Sequence, residues 1–197
     1  MNVKGTAFLA RKKLLENELG EAAAKDAIDA VVAAVPGFPQ PVLASTPIPI
    51  SVFLSFQDEL VRRCYSGDNM SFFRFGEASA DWALTKGPYK RLTEDKDLDG
   101  FATQGAALYR TYFDVGNATT SMKDGYVEFK IDNLPAALRH LYIEYATIGY
   151  FKRGMELLGA SQVDARRRRG FSTGDADVHY ELHFRREKPS SRRKVGT

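Results

Sequence analysis

Three residues near the C-terminus have the types and spacing of a metal site: His179, Glu181 and His183. On a β-strand, positions i, i+2 and i+4 share one face at steps of about 7 Å, so the three side chains point the same way. Two imidazoles and a carboxylate are donors that zinc or iron accepts. Donors at i and i+4 of a straight strand are nevertheless too far apart to share one ion, and supporting ligands are scarce. The cluster therefore reads as a solvated sheet face on which Glu181 offsets arginines of a neighbouring strand. No metal is assigned.

The remaining histidine, His140, lies among Leu138, Leu141, Tyr142 and Ile143. A histidine can be an axial haem ligand. Here there is no CxxCH motif and no second ligand, so the structural role is preferred and no cofactor is assigned. Whether His140, or His179 with His183, holds haem or a metal is a question the sequence leaves open. No Ser-His-Asp order, GxSxG elbow, HExxH motif, P-loop or GxGxxG fingerprint occurs, and nothing asks for an enzyme. The single cysteine, Cys64, has no partner for an internal disulfide and falls on a helical apolar stripe, which suits a buried structural thiol.

Two basic clusters are candidates for electrostatic contacts: Arg166, Arg167, Arg168 and Arg169 in the body, and Arg192, Arg193 and Lys194 near the end. Either could meet phosphates. Only Phe171 is interleaved as a stacking aromatic, and no reading head is evident, so specific nucleic-acid recognition is not expected. Alternate arginines on a strand face opposite ways, so half of the first cluster must find partners in the fold or sit at a bend. Aromatic residues suggest an apolar pocket between helices and sheet, with Phe53, Phe56, Trp82, Tyr112, Tyr150 and Phe151 as candidate ligand contacts. The competing reading of the same residues is plain core packing.

These residues need a scaffold, and the composition supplies one. The 197 residues include 44% hydrophobic and 12% aromatic side chains, enough for one domain with a core. The net charge of +3 is concentrated at the end: residues 185–197 hold six of the 28 basic residues and one of the 25 acidic ones, which leaves 22 and 24 in the rest. A domain over 1–185 followed by a basic, disordered tail over 186–197 is expected. No stretch approaches the roughly 18 apolar residues of a membrane span, and a cytoplasmic protein is expected.

Periodicity places the elements. Phe8, Leu15 and Leu19 predict a first helix that Gly20 interrupts; Ala23, Ala27, Ile28, Val31 and Val35 predict a second, stopped at Pro36-Gly37. The proline-rich stretch 36–49 reads as a loop or hinge. Ser51 reads as the N-cap of a strongly amphipathic helix carrying Val52, Phe56, Leu60 and Cys64. Further helices are predicted over about 73–84 and 102–109. Beyond Thr111 the period becomes two: Val127, Phe129 and Ile131 alternate with charged residues, and Asp124-Gly125 joins this strand to one over about 112–122. Ile148, Phe151, Met155 and Leu158 mark a late helix ended by Gly159, while the start of that helix, within 138–145, is undecided. Gly149 and Gly154 would let it pack close to the sheet. A final hairpin, 161–166 with 178–184, completes an α+β fold: an antiparallel sheet built from hairpins and covered by amphipathic helices.

Several stretches carry a family likeness. Val3 through Phe8, Phe75-Gly76-Glu77-Ala78 leading to Gly87-Pro88-Tyr89-Lys90, Ile148 through Ala160, and Gly170-Phe171 through Tyr180-Glu181-Leu182 resemble an uncharacterised family of small proteins expanded in myxobacteria. More distantly, the last half resembles vinyl-reductase-type ligand-sensing domains. That resemblance implies an α+β sandwich, homodimerisation and a small hydrophobic ligand. Many such domains carry cysteines near the final helix and hairpin; this chain has none there, which removes support for zinc. The leading expectation is a non-catalytic regulatory domain, dimeric, binding a small apolar molecule or a partner protein. A protein–protein adaptor using its basic tail for acidic partners comes second, and a haem-binding gas sensor third.

Overall fold

The computed structural model describes residues 1–87 and 89–186, and the tail cluster Arg192, Arg193 and Lys194 lies outside them. A short strand β1 (Asn2–Lys4) opens the chain, followed by α1 (Gly5–Leu19) and α2 (Glu21–Ala34). Gly20 separates these helices at φ +82°, a backbone conformation that glycine adopts without a Cβ penalty. On α1 the buried face is Ala7, Phe8, Arg11 and Leu15, while Leu19 is exposed. Phe8 and Leu15 lie on the buried face as the spacing predicts, and only Leu19, in the last turn, departs from it. On α2 the inward alanine is Ala24 rather than Ala23.

The proline-rich stretch is not wholly a loop. Pro47–Pro49 forms β2, antiparallel to β1 with Val3 opposite Ile48. Prolines are tolerated because this two-stranded ribbon needs few ladder donors. Helix α3 (Ile50–Cys64) begins one residue before the expected cap: Pro49 occupies the cap position and Ser51 is in the first turn. Pro49 suits that place, having no backbone N–H to leave unpaired. Helix α4 (Ser71–Thr85) follows, then the short α5 (Lys90–Glu94), α6 (Leu98–Thr103) and α7 (Gly105–Tyr112). Asp97 caps α6 by accepting from the Gly100 amide at 2.8 Å. Because α7 runs to Tyr112, the first hairpin strand starts later than expected, as β3 (Asn117–Lys123).

β3 turns through Asp124-Gly125 into β4 (Tyr126–Asp132), with Gly125 at φ +79°. A 3₁₀ turn over Ala136–Leu138 leads to α8 (Leu141–Leu157), which settles the undecided start of the late helix. β5 (Ala160–Arg169) and β6 (Val178–Arg186) close the chain. The four-stranded sheet is antiparallel in the order β3-β4-β6-β5, with Phe129 opposite Tyr180 and Val127 opposite Leu182. The α+β class and the hairpin-built sheet thus match the sequence reading.

Alternation on β4 and β6 buries Val127, Phe129, Ile131, Val178, Tyr180 and Leu182 on one face. Helix α8 covers that face and is itself covered by α4. Each fully buried Phe or Leu in this stack contributes about 2 kcal/mol of transfer free energy. Gly149 and Gly154 do not meet the sheet. A Cβ at Gly149 would lie 2.1 Å from the Phe73 carbonyl oxygen of α4, and one at Gly154 would strike the Phe101 ring of α6 at 2.4 Å. These glycines bring α8 against other helices. An isolated bridge between Val3 and Phe113 ties the first strand to the end of α7.

Candidate functional site

Where β1, α1 and α4 meet α7 and α8, the packing leaves an apolar cavity of about 40 Å³. Its walls are Val3 and Ala7, Gly76 and Ser79 of α4, Leu108, Tyr109 and Tyr112 of α7 with Phe113 just after it, and a stripe of α8 that includes Tyr142, Ala146 and Tyr150. The stripe follows from helical spacing: 142, 146 and 150 recur every four residues and so share a face. Gly76 sets the width of the gap. A Cβ there would lie 1.9 Å from the Ala146 carbonyl oxygen, so only glycine lets α4 approach α8 at this level.

Four tyrosines surround the space. The Tyr109 hydroxyl donates to the Val115 carbonyl at 3.0 Å. Burial pushes the Tyr112 phenol up to about 12, and burial also raises Tyr109, Tyr142 and Tyr150, so all four are neutral phenols at ordinary pH. The buried oxygens of Thr147 and Tyr150 have no partner in hydrogen-bonding geometry. The cavity walls contain no His, Cys, Met, Asp or Glu. Chemically the site is a small, mainly apolar compartment with a few hydroxyls, suited to holding a molecule rather than transforming one.

Of the aromatic residues singled out from the sequence, Tyr112, Tyr150 and Phe151 line this cavity. Phe53 and Phe56 do not: they pack with Phe8, Phe38 and Tyr142 in the core beside it. Trp82 lies elsewhere, 48% exposed in a groove between α1 and α4 with Leu9, Leu14 and Ala78. Tyr142, which the sequence shows only as a neighbour of His140, also lines the cavity, while the buried Arg11 lies outside its walls. The spacing of Ala7, Arg11 and Leu15 marks Arg11 as a charged residue on an apolar stripe, which is the available signal.

The histidines have other duties. His140 is the N-cap of α8: its Nδ1 accepts from the Tyr142 amide at 3.0 Å, and its Nε2 is 3.0 Å from Asp58. His179, Glu181 and His183 share the outer sheet face as expected. His179 Nε2 lies 3.1 Å from the Glu128 carboxylate, and His183 lies 3.0 Å from Glu181. No group of three or more possible metal ligands occurs among the described residues.

The four consecutive arginines are all engaged. Arg166 meets Asp164, Arg167 donates to Ser172, Arg168 to Glu181, and Arg169 pairs with Asp177. A register shift between Arg167 and Arg169 supplies the bend the run requires. Cys64 is partly buried, and burial raises its thiol pKa, so it has little thiolate character. Among the described residues no helix is long and apolar enough to cross a membrane.

No family model matches this chain, and no curated protein matches it. Solved structures do. An H-NOX protein from S. oneidensis in the Fe(II) ligation state matches with TM-score 0.68 at 10% identity, covering 94% of this chain and 97% of that one. The H-NOX domain from Shewanella oneidensis in the Fe(II)CO ligation state gives 0.69 at 9% identity, over 93% and 99%. The Fe(II) unliganded H-NOX protein from K. algicida gives 0.66 at 11% identity, over 94% and 98%. The chain thus shares the H-NOX fold across nearly its whole length.

Proposed function

We propose that this chain is a non-catalytic regulatory domain that binds a small molecule in the cavity between β1, α1 and α4 on one side and α7 and α8 on the other. The carrying observation is the cavity itself, at the seam of the fold, with mainly apolar walls and two buried hydroxyls without partners. Voids larger than a water are few per domain, and an apolar one is able to take up a small apolar molecule. The homodimer implied by the distant resemblance belongs to the same proposal.

The likeness to H-NOX structures raises an iron cofactor as a second reading, that of a haem-binding gas sensor. The fold favours it and the donor set does not fit. The cavity offers iron only phenols and aliphatic hydroxyls, and burial opposes the phenolate that would bind it. His140 is committed to capping α8 and to Asp58. A space of 40 Å³ also cannot hold a porphyrin, since one water needs about 10–15 Å³ on the same measure.

Xenon is a probe of dry apolar cavities and tests the leading reading directly. In methyl-labelled protein, xenon should shift the Leu108 and Ala146 methyl signals, and Ala146→Leu should abolish the shift. Native mass spectrometry should show a small adduct lost on denaturation and report the subunit number. Unmoved methyl signals together with a clean mass would remove the proposal. A Soret band after expression with haem supply would transfer the argument to the gas-sensor reading.

A further inference from the structure

Trp82 is the single tryptophan of the chain and lies 48% exposed on α4. It stands in a groove of about 660 Å³ between α1 and α4 that shares no lining residue with the cavity. The α1 wall is Leu9, Ala10 and Leu14 with Lys13 among them, and the α4 wall is Ala78 and Trp82. Spacings of three and four place each set on one face of its helix. The α1 set points away from the buried face of Ala7, Phe8, Arg11 and Leu15, so this helix carries apolar side chains on two sides. A helix of that kind is normally covered on both. Ala44, whose carbonyl accepts from the Thr6 amide at 3.2 Å, also lines the groove, and its neighbour Leu43 is 63% exposed. Exposed apolar groups gathered around a tryptophan mark interaction surfaces.

Charge at the mouth selects the occupant. Three charged residues line the groove: Lys13, Asp81 and Lys86. Asp81 is engaged by Arg153 at 2.8 Å, Glu16 is shared by Lys12 and Lys13, and among the described residues no ion pair engages Lys86. The mouth is therefore positive on both walls, through Lys13 on α1 and Lys86 on α4. A second copy would bring two positive mouths together. The chain's own residues 187–197 hold four basic residues against one acidic, again the wrong sign. An acidic partner has the complementary one. As for shape, a cleft walled by one stripe from each of two helices is the seat of a third helix. The α1 wall, from Thr6 to Asn17, is about 16 Å long, or three helical turns.

We propose that the groove between α1 and α4 docks an amphipathic helix of a partner protein, its apolar stripe on Leu9, Leu14 and Trp82 and its acidic flanks facing Lys13 and Lys86.

Because Trp82 is the only tryptophan, its fluorescence reports occupancy of the groove without a label. The probes are two peptides of about 14 residues with leucines at i, i+3, i+4 and i+7, one flanked by glutamates and the other by lysines. The glutamate peptide should shift the Trp82 emission to the blue and bind about three- to tenfold more tightly than the lysine peptide at low salt, the difference shrinking as salt is added. Exchanging Lys13→Glu together with Lys86→Glu should reverse that order. Ala10→Arg, at a half-buried surface position, should abolish binding of both peptides. With a fluorescein-labelled glutamate peptide followed by anisotropy, Trp82→Ala should weaken binding at least about tenfold. An emission unmoved by either peptide, or equal binding of both, overturns the proposal. So does a blue shift that grows with protein concentration alone, which assigns the groove to a second copy. A shift produced by phosphatidylglycerol vesicles but not by the peptides assigns it to a lipid surface and overturns it too.

Discussion

Glu181 sits on the outer face of the sheet, where Arg168 donates to it at 2.8 Å and His183 approaches at 3.0 Å. The Arg168 hydrogen bond, followed by that of His183, holds its carboxyl at about 2, against 4.5 in an unstructured chain. The folded-state value is depressed, so the stabilisation is present above about pH 4.5 and lost as pH falls from there towards 2. Denaturant titrations across that window should show stability falling with acid, and Glu181→Gln should flatten the slope. An unchanged slope in the variant would place the acid sensitivity elsewhere. That Glu181 would be answered by arginines of the next strand was legible from the period-two pattern alone. Arg11 was less legible, because a charge on an apolar stripe reads equally as a helix edge until the neighbouring helices are in place.

At the scale of elements, α4 and α8 interlock backbone to backbone. Gly76 admits the Ala146 carbonyl and Gly149 admits the Phe73 carbonyl, so each helix contributes one notch. Gly76→Ala would drive a Cβ into a carbonyl oxygen and force the helices apart. A destabilisation of about 1–3 kcal/mol is expected, the range of overpacked cores, against a gain of up to about 1 kcal/mol from alanine's helix propensity. Thermal unfolding measures it, and a variant as stable as the parent would show that the helices separate without cost. The glycines were visible in the sequence, but their partner was not: spacing along a helix reveals which residues share a face, not which element covers that face. The same limit explains why Phe53 and Phe56, alike in type to Tyr112 and Tyr150, pack beside the cavity instead of lining it. Strands β1 and β2 were missed because three residues are too few to show an alternation, and two of the three in β2 are prolines.

Across the whole molecule, local pattern sufficed for the class and the order of elements, and the seam between the halves emerged only from assembly. The cavity draws its walls from residue 3 to residue 151, a span that no window of sequence covers. Helix α8 runs through the middle of that arrangement and is engaged on both sides. One side presents Tyr142, Ala146 and Tyr150 to the cavity. From the same helix the fully buried Glu144 accepts from the Ser172 amide and hydroxyl, each at 2.8 Å, and from the Tyr180 hydroxyl at 2.6 Å. If an occupant displaced this rod on one side, the latch on the other would be strained or slackened. The turn over 170–175 would then be the dial on which occupancy is read at the surface. Hydrogen exchange at the Ser172 amide should respond to xenon, and Glu144→Gln should uncouple the two. An amide rate indifferent to occupancy would mean that the helix absorbs its ligand without moving.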